Sequence, residues 1–362
     1  MKKPIIILLI SILTIIIISI ITIIIIYNNN LKPVNSEEQA QEIILEIPEG
    51  YGVSKIAELL EEKNVIKSNF SFKIYSKLNE VNNLQAGKYC FNNGTEDVKK
   101  IIEKMENGEI FKEEITLTFI EGKNMRNVAK VIADGTNNTE EDVFNLLENE
   151  EYIDSLIEKY WFLTDEIKDE NIYYPLEGYL LPDTYNFENS NVSVETIFNI
   201  ILNFMDKYLI QYKEEIENSK LTVHQMLTLA SMAELEGKTD EDRAEIIGVF
   251  YNRINKNMKL GSDVTTYYAF KVDMGDRDLK TKEINTYNPY NTRGPNMNGK
   301  IPIGPISNPS KVSIQAVLNR KDTDAYYFVA DKYGKVYFTK NNNEHLKKIQ
   351  ELKNKDLWYV YE

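Results

Sequence analysis

The chain opens Met-Lys-Lys-Pro and then runs "IIILLISILTIIIISIITIIII" over residues 5–26. Those 22 residues hold no charge, no Gly and no Pro. As a helix they span about 33 Å, enough to cross the hydrocarbon core of a bilayer. The run therefore sets the first division of the chain: residues 1–4 as a cytoplasmic tail, 5–26 as a transmembrane helix, and the rest as a tethered body. Lys2 and Lys3 are the only charges before it, so the positive-inside rule keeps the N-terminus in the cytoplasm and puts the body outside. The run is longer than the apolar region of a cleaved signal peptide, and no small-x-small site precedes "YNNNLKPVNSEE". The expectation is a single-pass anchor in the cell membrane with an extracellular body.

That body is acidic. Without Lys2 and Lys3 the chain carries 40 basic and 56 acidic residues, a net of −16, which argues against nucleic acid and anionic headgroups as partners. The one cysteine, Cys90 in "GKYCFNN", rules out an internal disulfide and reads as a small apolar strand residue. Two histidines, His224 and His345, with that single cysteine leave too few ligands for a zinc hydrolase site. There is no G-x-S-x-G, no P-loop and no G-x-G-x-x-G. What remains is carboxylate chemistry without metal or cofactor. For an acidic, aromatic body outside a membrane, its natural substrate is a glycan.

Residues 27–42, "YNNNLKPVNSEEQAQE", read as a polar linker. An internal repeat follows. "LEIPEGYGVSKIAELL" (45–60) and "LTFIEGKNMRNVAKVI" (117–132) share a short strand, Glu-Gly and a helix with apolar spacing, such as Val53, Ile56, Ala57 and Leu60. Between them lies another strand, turn and helix, with Thr95 as the expected N-cap. Residues 43–135 are thus expected to form one small α+β module. Residues 138–220 read as helical and charged, broken by "YYPLEGYLLPDTYNF" (173–187), either a sugar-stacking groove or a packed loop. Residues 221–257 read as a helical pair, with a capping box at Thr222 and Gln225, a stop at Gly237 and a cap at Thr239. Asp240, Glu241 and Asp242 then serve the dipole of the second helix. A Pro/Gly/Asn-rich tract (286–310) and a hairpin around Lys332-Tyr333-Gly334 complete an α+β body.

Within the helical pair, "LASMAELEG" carries Glu234 on an apolar face. With Met226 at zero, Glu234 falls at about 80°, between Val223 at about 60° and Leu227 at about 100°. A carboxyl there is paired, protonated or used, and an apolar setting raises its pKa as a general acid requires. Glu236, at about 280°, borders Leu229 and is the weaker candidate by this criterion.

"LASMAELEG", "RAEIIGVFYNRI", "MKLGSDVTTYYA", "LEGYLLPDTY", "YNTR", "IPIGPISNPS" and "YYFVADKYGKVYF" together resemble the endolytic murein transglycosylase family, also called YceG-like. The resemblance implies a membrane-anchored, outward-facing enzyme. It implies a LysM-like module at 43–135. It implies a mixed α+β catalytic domain at 136–362, with the helical pair and long Pro/Gly/Asn-rich loops. The family cuts nascent peptidoglycan strands internally between MurNAc and GlcNAc, leaving 1,6-anhydro-MurNAc ends, a cut that would end strand elongation. Its implied partners are peptidoglycan glycan strands, the membrane, and penicillin-binding proteins or other wall synthases. The family's catalytic glutamate falls on Glu234. Ser262, Asp263 and Thr265 match its cleft motif, Asn252 and Arg253 its "F-x-N-R" element, Glu177 and Asp183 its "EG-x-L-x-PDTY", and Tyr290, Asn291 and Thr292 its "YNTY". The implied substrate-binding set is Ser262, Asp263, Thr265, Asn291, Arg253 and Glu177, with a salt bridge that fixes loops as the other reading of Arg253 and Glu177. Val264, Arg293 and Ile303 depart from the pattern, and Arg293 becomes a candidate for a substrate carboxylate. The alternative function is a non-catalytic peptidoglycan-binding scaffold of the wall-synthesis machinery.

Overall fold

The computed structural model describes residues 2–358. Helix α1 (Lys2–Asn30) holds the apolar run, and from Ile6 to Asn30 it is long and apolar enough to cross a membrane. Its polar side chains follow the rule for lipid. Ser11, Thr14 and Thr22 each donate to the carbonyl four residues back, at 2.8–2.9 Å, so these three hydroxyls are satisfied within the helix.

The chain divides into two compact units, Met1–Glu113 and Glu114–Glu362. In the first, α1 is followed by β1 (Glu42–Ile47), α2 (Val53–Glu62), α3 (Asn69–Leu78), β2 (Gly87–Asn92) and α4 (Val98–Glu106). β1 and β2 pair antiparallel from Glu42↔Asn92 to Ile47↔Gly87. The expected stripe of α2 buries Ile56, Ala57 and Leu60 against Phe72, Tyr89, Phe91 and Ile101. Cys90 lies half-buried in β2 as expected. The cap of α4 is Asp97, not Thr95. Asp97 accepts from the Lys100 N–H at 2.9 Å, while the Thr95 N–H is tied to Asn92 Oδ1 in the preceding turn.

The second unit begins inside the stretch expected to close the small module. β3 (Ile115–Thr118) and α5 (Met125–Gly135), the second copy of the repeat, belong here and not with the first copy. β3 finds its partner far along the chain, pairing antiparallel with β4 (Thr184–Phe187), and α5 sends Met125, Val128, Ala129 and Ile132 into the larger core. Matching sequence gave matching local structure, but strand pairing decided membership. The boundary expected at residue 135 is therefore found between 113 and 114.

After α5 come α6 (Glu140–Leu147), α7 (Glu150–Lys159), β4, α8 (Val194–Leu209) and α9 (Lys213–Ser219). The helical pair follows as α10 (Val223–Glu236) and α11 (Asp240–Asn255). Then come α12 (Asp263–Ala269), α13 (Thr281–Ile284) and α14 (Lys311–Leu318). The hairpin strands β5 (Tyr327–Ala330) and β6 (Val336–Thr339) and α15 (Asn342–Asn354) complete the unit. The expected capping box forms between Thr222 and Gln225, and the expected cap Thr239 turns out to close a second box with Asp242, so the acids opening α11 serve its first turn. The β5–β6 register runs from Tyr327↔Thr339 to Ala330↔Val336, and Gly334 turns the chain at φ +82°.

α10 is the axle of this unit, packed against α11, α12 and α14. His224 and every residue from Met226 to Ala233 are buried, so both its apolar and its polar sides face protein. The aromatic stretch 173–187 resolves as a packed loop. Leu176, Tyr179, Leu180 and Leu181 are buried, and the Tyr179 hydroxyl meets His224 Nδ1 at 2.8 Å. His224 Nε2 lies 2.8 Å from the Ile303 carbonyl, which can only accept. The proton thus sits on Nε2 and Tyr179 donates to Nδ1. This histidine is a core brace for the 286–310 tract.

Candidate active site

The last turn of α10 presents two glutamates to different neighbours. Glu234, the expected catalytic residue, points at the N-terminus of α14. Its Oε2 accepts from the Ser310 N–H at 2.8 Å, Ser310 Oγ at 2.5 Å and Ser313 Oγ at 2.7 Å. Its Oε1 accepts from Arg243 Nη2 at 2.9 Å. The side chain is 6% exposed and that of Arg243 16% exposed. Four donors converge on this carboxylate, which ties α10 to α11 and caps α14. It is shielded as the helix wheel implies, but it is an acceptor built into the frame, and it is not among the residues lining the cleft described next.

Glu236, two residues on, lines a cleft of about 530 Å³. Around it stand Arg253 from α11, Gly261 and Asp263 at the start of α12, and Arg293 from the broken tract. β5 (Tyr327 to Ala330), Asn342, His345 and Ile349 of α15, and Trp358 also line it. Ser262 Oγ donates to Glu236 Oε1 at 2.6 Å. Burial lifts the Glu236 carboxyl to about 7. The nearby Asp263 also raises it, while the Ser262 hydrogen bond, Arg293 and Arg253 oppose the rise without cancelling it. This group can hold a proton at neutral pH and release it into a polar setting.

The other expected site residues divide into lining and support. Asp263 lines the cleft and forms an ion pair with Arg293. Arg253 also lines it, but its Nε donates to the Tyr326 carbonyl at 2.6 Å, its Nη1 donates to the Leu260 carbonyl, and its guanidinium stacks on the Tyr327 ring. It thereby clamps the hairpin to the α12 loop. One position earlier, Asn252 donates to the Thr323 and Ala325 carbonyls and holds the segment that leads into β5.

Thr265 and Asn291 are buried beneath the surface and do not line the cleft. Thr265 Oγ1 donates to the Ser262 carbonyl and meets Thr292 Oγ1 at 2.8 Å. Asn291 Nδ2 donates to the carbonyls of Glu283 and Thr286, and its Oδ1 accepts from Thr266. Together they fix the loop that carries Ser262 and Arg293. Glu177 lies away from the cleft, accepting from the Met125 N–H at 2.9 Å and the Tyr268 hydroxyl at 3.0 Å, with burial lifting its carboxyl to about 7. It opens α5 and belongs to the packing of the domain, not to the groove. Asp183 is exposed, beside Lys311.

Tyr327, His345 and Trp358 are additions that residue patterns did not single out. The hairpin was legible. That it forms a wall of the cleft follows from the Arg253 and Asn252 clamps, and only the pairing of "NR" with a distant backbone could have signalled it. His345 packs on Tyr327 with ring centroids 5.3 Å apart, and burial, Arg253 and Arg293 hold it below the ordinary histidine range, so it is neutral in the cleft.

Comparison with known proteins agrees with this architecture. The YceG-like family matches residues 45–351. An endolytic murein transglycosylase of Bacillus subtilis (strain 168) is 37% identical over 319 residues, covering 88% of this chain and 86% of that protein. One from Streptococcus pneumoniae (strain D39) is 32% identical over 344 residues, covering 91% of this chain and 61% of that longer protein. The crystal structure of a yceG-like protein, lmo1499, from Listeria monocytogenes superimposes with a TM-score of 0.61 at 34% identity, covering 86% of this chain and all of that one. With a match over most of its length and relatives above 30% identity, the chain belongs to the YceG-like family.

Proposed function

We propose that this chain is a membrane-anchored endolytic murein transglycosylase whose proton donor and acceptor is Glu236. The transglycosylase activity rests on family membership and on relatives of that name. The anchor is α1, with the N-terminus cytoplasmic and the second unit outside the cell. Of the 43–135 stretch, the part inside the small unit, up to Glu113 with β1, α2, α3, β2 and α4, is read as the LysM-like module. Penicillin-binding proteins or other wall synthases are the partners expected.

One observation carries the site: a carboxyl lining an open cleft, held by a serine and lifted by burial to about 7. This revises the expectation for Glu234, whose oxygens are engaged by four donors. In the reaction the glycan strand lies along the cleft, with sugar faces against Tyr327 and Trp358. Glu236 gives its proton to the oxygen joining C1 of MurNAc to GlcNAc, and the C1–O bond breaks with the electron pair leaving on that oxygen. Now a carboxylate, it takes the proton of the C6 hydroxyl of the same MurNAc as O6 bonds to C1. The anhydro bridge forms, the enzyme regains its proton and no water is consumed. The Ser262 bond strengthens as Glu236 becomes charged, and Arg293 and Arg253 stabilise that charge.

The test is product mass. The purified chain acting on un-crosslinked glycan should release fragments with anhydromuramoyl ends. Ends heavier by one water would make it a hydrolase using Asp263 as the second carboxylate. Binding without cleavage would favour the scaffold reading.

The pH profile checks the acid directly. A general acid must be protonated in the free enzyme, so kcat/KM falls as pH rises through about 7. Asp263 raises that value, so Asp263→Asn moves the alkaline limb to lower pH. A profile unchanged by Asp263→Asn would detach the limb from Glu236.

A further inference from the structure

The cleft gathers arginines in an acidic protein, with Asp263 the charged carboxylate beside them. Two guanidiniums, Arg253 and Arg293, face it beside a carboxyl that holds its proton near neutrality and a neutral histidine. The two arginines are not equivalent. Arg253 spends its Nε and Nη1 on backbone carbonyls and its face on Tyr327. Arg293 is mounted through its backbone instead. Its N–H donates to Asn291 Oδ1 at 3.2 Å, and its carbonyl accepts from Lys259 Nζ at 3.0 Å. Its side chain meets Asp263 through Nε, on the inner edge, and stays 38% exposed. Among the described residues, neither Nη of Arg293 has a hydrogen-bond partner. A guanidinium held by Nε on one edge still offers its Nη pair, spaced to grip a carboxylate with two parallel hydrogen bonds.

We propose that the Nη edge of Arg293 is a receptor for a carboxylate of the glycan strand, next to the glycosidic oxygen that Glu236 protonates. The proposal rests on the murein reading above and narrows it. The preferred strand carries an anionic group on or beside the sugar in the cleft. Two sources share this chemistry: the lactyl carboxylate of a muramoyl residue without its peptide, and a free carboxylate of the attached stem peptide. Asp263 aims the fork by holding Nε and is not displaced by the ligand.

Calorimetric titration of the full chain in detergent, carrying Glu236→Gln so that ligand persists, tests this without turnover. The probes are muramoyl tetrasaccharides of three kinds: with free-carboxyl stems, with stems whose carboxyls are amidated, and stripped of stems to bare the lactyl carboxylate. A charge-assisted bidentate contact predicts binding tighter by about 10- to 100-fold for one carboxylate form over the amidated one. Whichever form binds tightly identifies the source. Adding Arg293→Gln should bring that ratio to about one while affinity for the amidated form holds. Adding Asp263→Asn should keep a ratio above one, because the Nη pair remains. The proposal is overturned if Arg293→Gln weakens all three probes equally, or if the unmodified cleft does not discriminate among them. The reaction assignment fails separately: the otherwise unmodified chain would then release no anhydro ends from polymer even where discrimination persists.

Discussion

A Glu236→Gln chain keeps its fold and loses release of anhydro-ended glycan by about 10³-fold or more, since one side chain supplies both the acid and the base and each role is worth about 10²- to 10⁴-fold. Gln preserves the shape of the side chain and its acceptor for Ser262, but it has no proton to give the departing oxygen and cannot take one from O6. Stability moves the other way. The folded Glu236 carboxyl titrates near 7, above its ordinary value of 4.5, so the native state binds more protons than the unfolded chain between those values. Its contribution is fully present below pH about 4.5 and is lost as pH rises through about 7. The Gln variant lacks that loss. Its thermal midpoint relative to the unmodified chain should therefore climb from pH 5 to pH 8, by an amount worth at most about 3 kcal/mol for a shift of this size. Turnover followed by mass spectrometry and melting followed by circular dichroism read the two effects separately. A variant that retains turnover removes Glu236 from the chemistry.

The contrast between the two glutamates shows where reading residues alone succeeded and where it stopped. Residue patterns located α10, the Thr222–Gln225 capping box, the Thr239 cap and the acids that open α11, because these depend on neighbours three or four residues away. Helical periodicity placed Glu234 on a face turned from water, and it is. The wheel cannot say what lies opposite that face. α10 is enclosed all round, so one side meets the N-terminus of α14 and another the cleft, and both look alike from within the helix. The separation of 76 positions between Glu234 and Ser310 hides the cap from any local pattern. The repeat misled for a related reason. Its two copies share local folding, yet β3 pairs with β4 across the sequence and carries its helix into the other core. Thr265 and Asn291 were legible as important polar residues. Their work is to hold the loop bearing Ser262 and Arg293, which only the hydrogen-bond map distinguishes from touching a sugar. The two guanidiniums at the cleft ran against the composition, because an overall excess of acids says nothing about one pocket.

Glu234 should respond as a structural group. Arg243→Ala leaves its carboxylate enclosed without its charged partner, and breaking a buried pair from one side costs about 3–5 kcal/mol. In a unit of this size each kcal/mol moves the midpoint by about 2–4 °C, so the melting temperature should fall by about 10 °C. Glu234→Gln keeps an acceptor for part of the serine cluster but loses the ionic contact, and Gln brings two N–H groups to a place already filled with donors. It should therefore destabilise by a similar amount, and turnover should fall only in step with the folded fraction, recovering on cooling. The paired substitution Glu234→Leu with Arg243→Met removes both charges and fills the space, so its cost should be clearly smaller than the sum of the two single losses. Melting temperature and specific activity, measured together on the four chains, decide the matter. If Glu234→Gln melts with the unmodified chain yet releases no anhydro ends, the proton belongs to Glu234, and Glu236 is the residue that merely shapes the cleft.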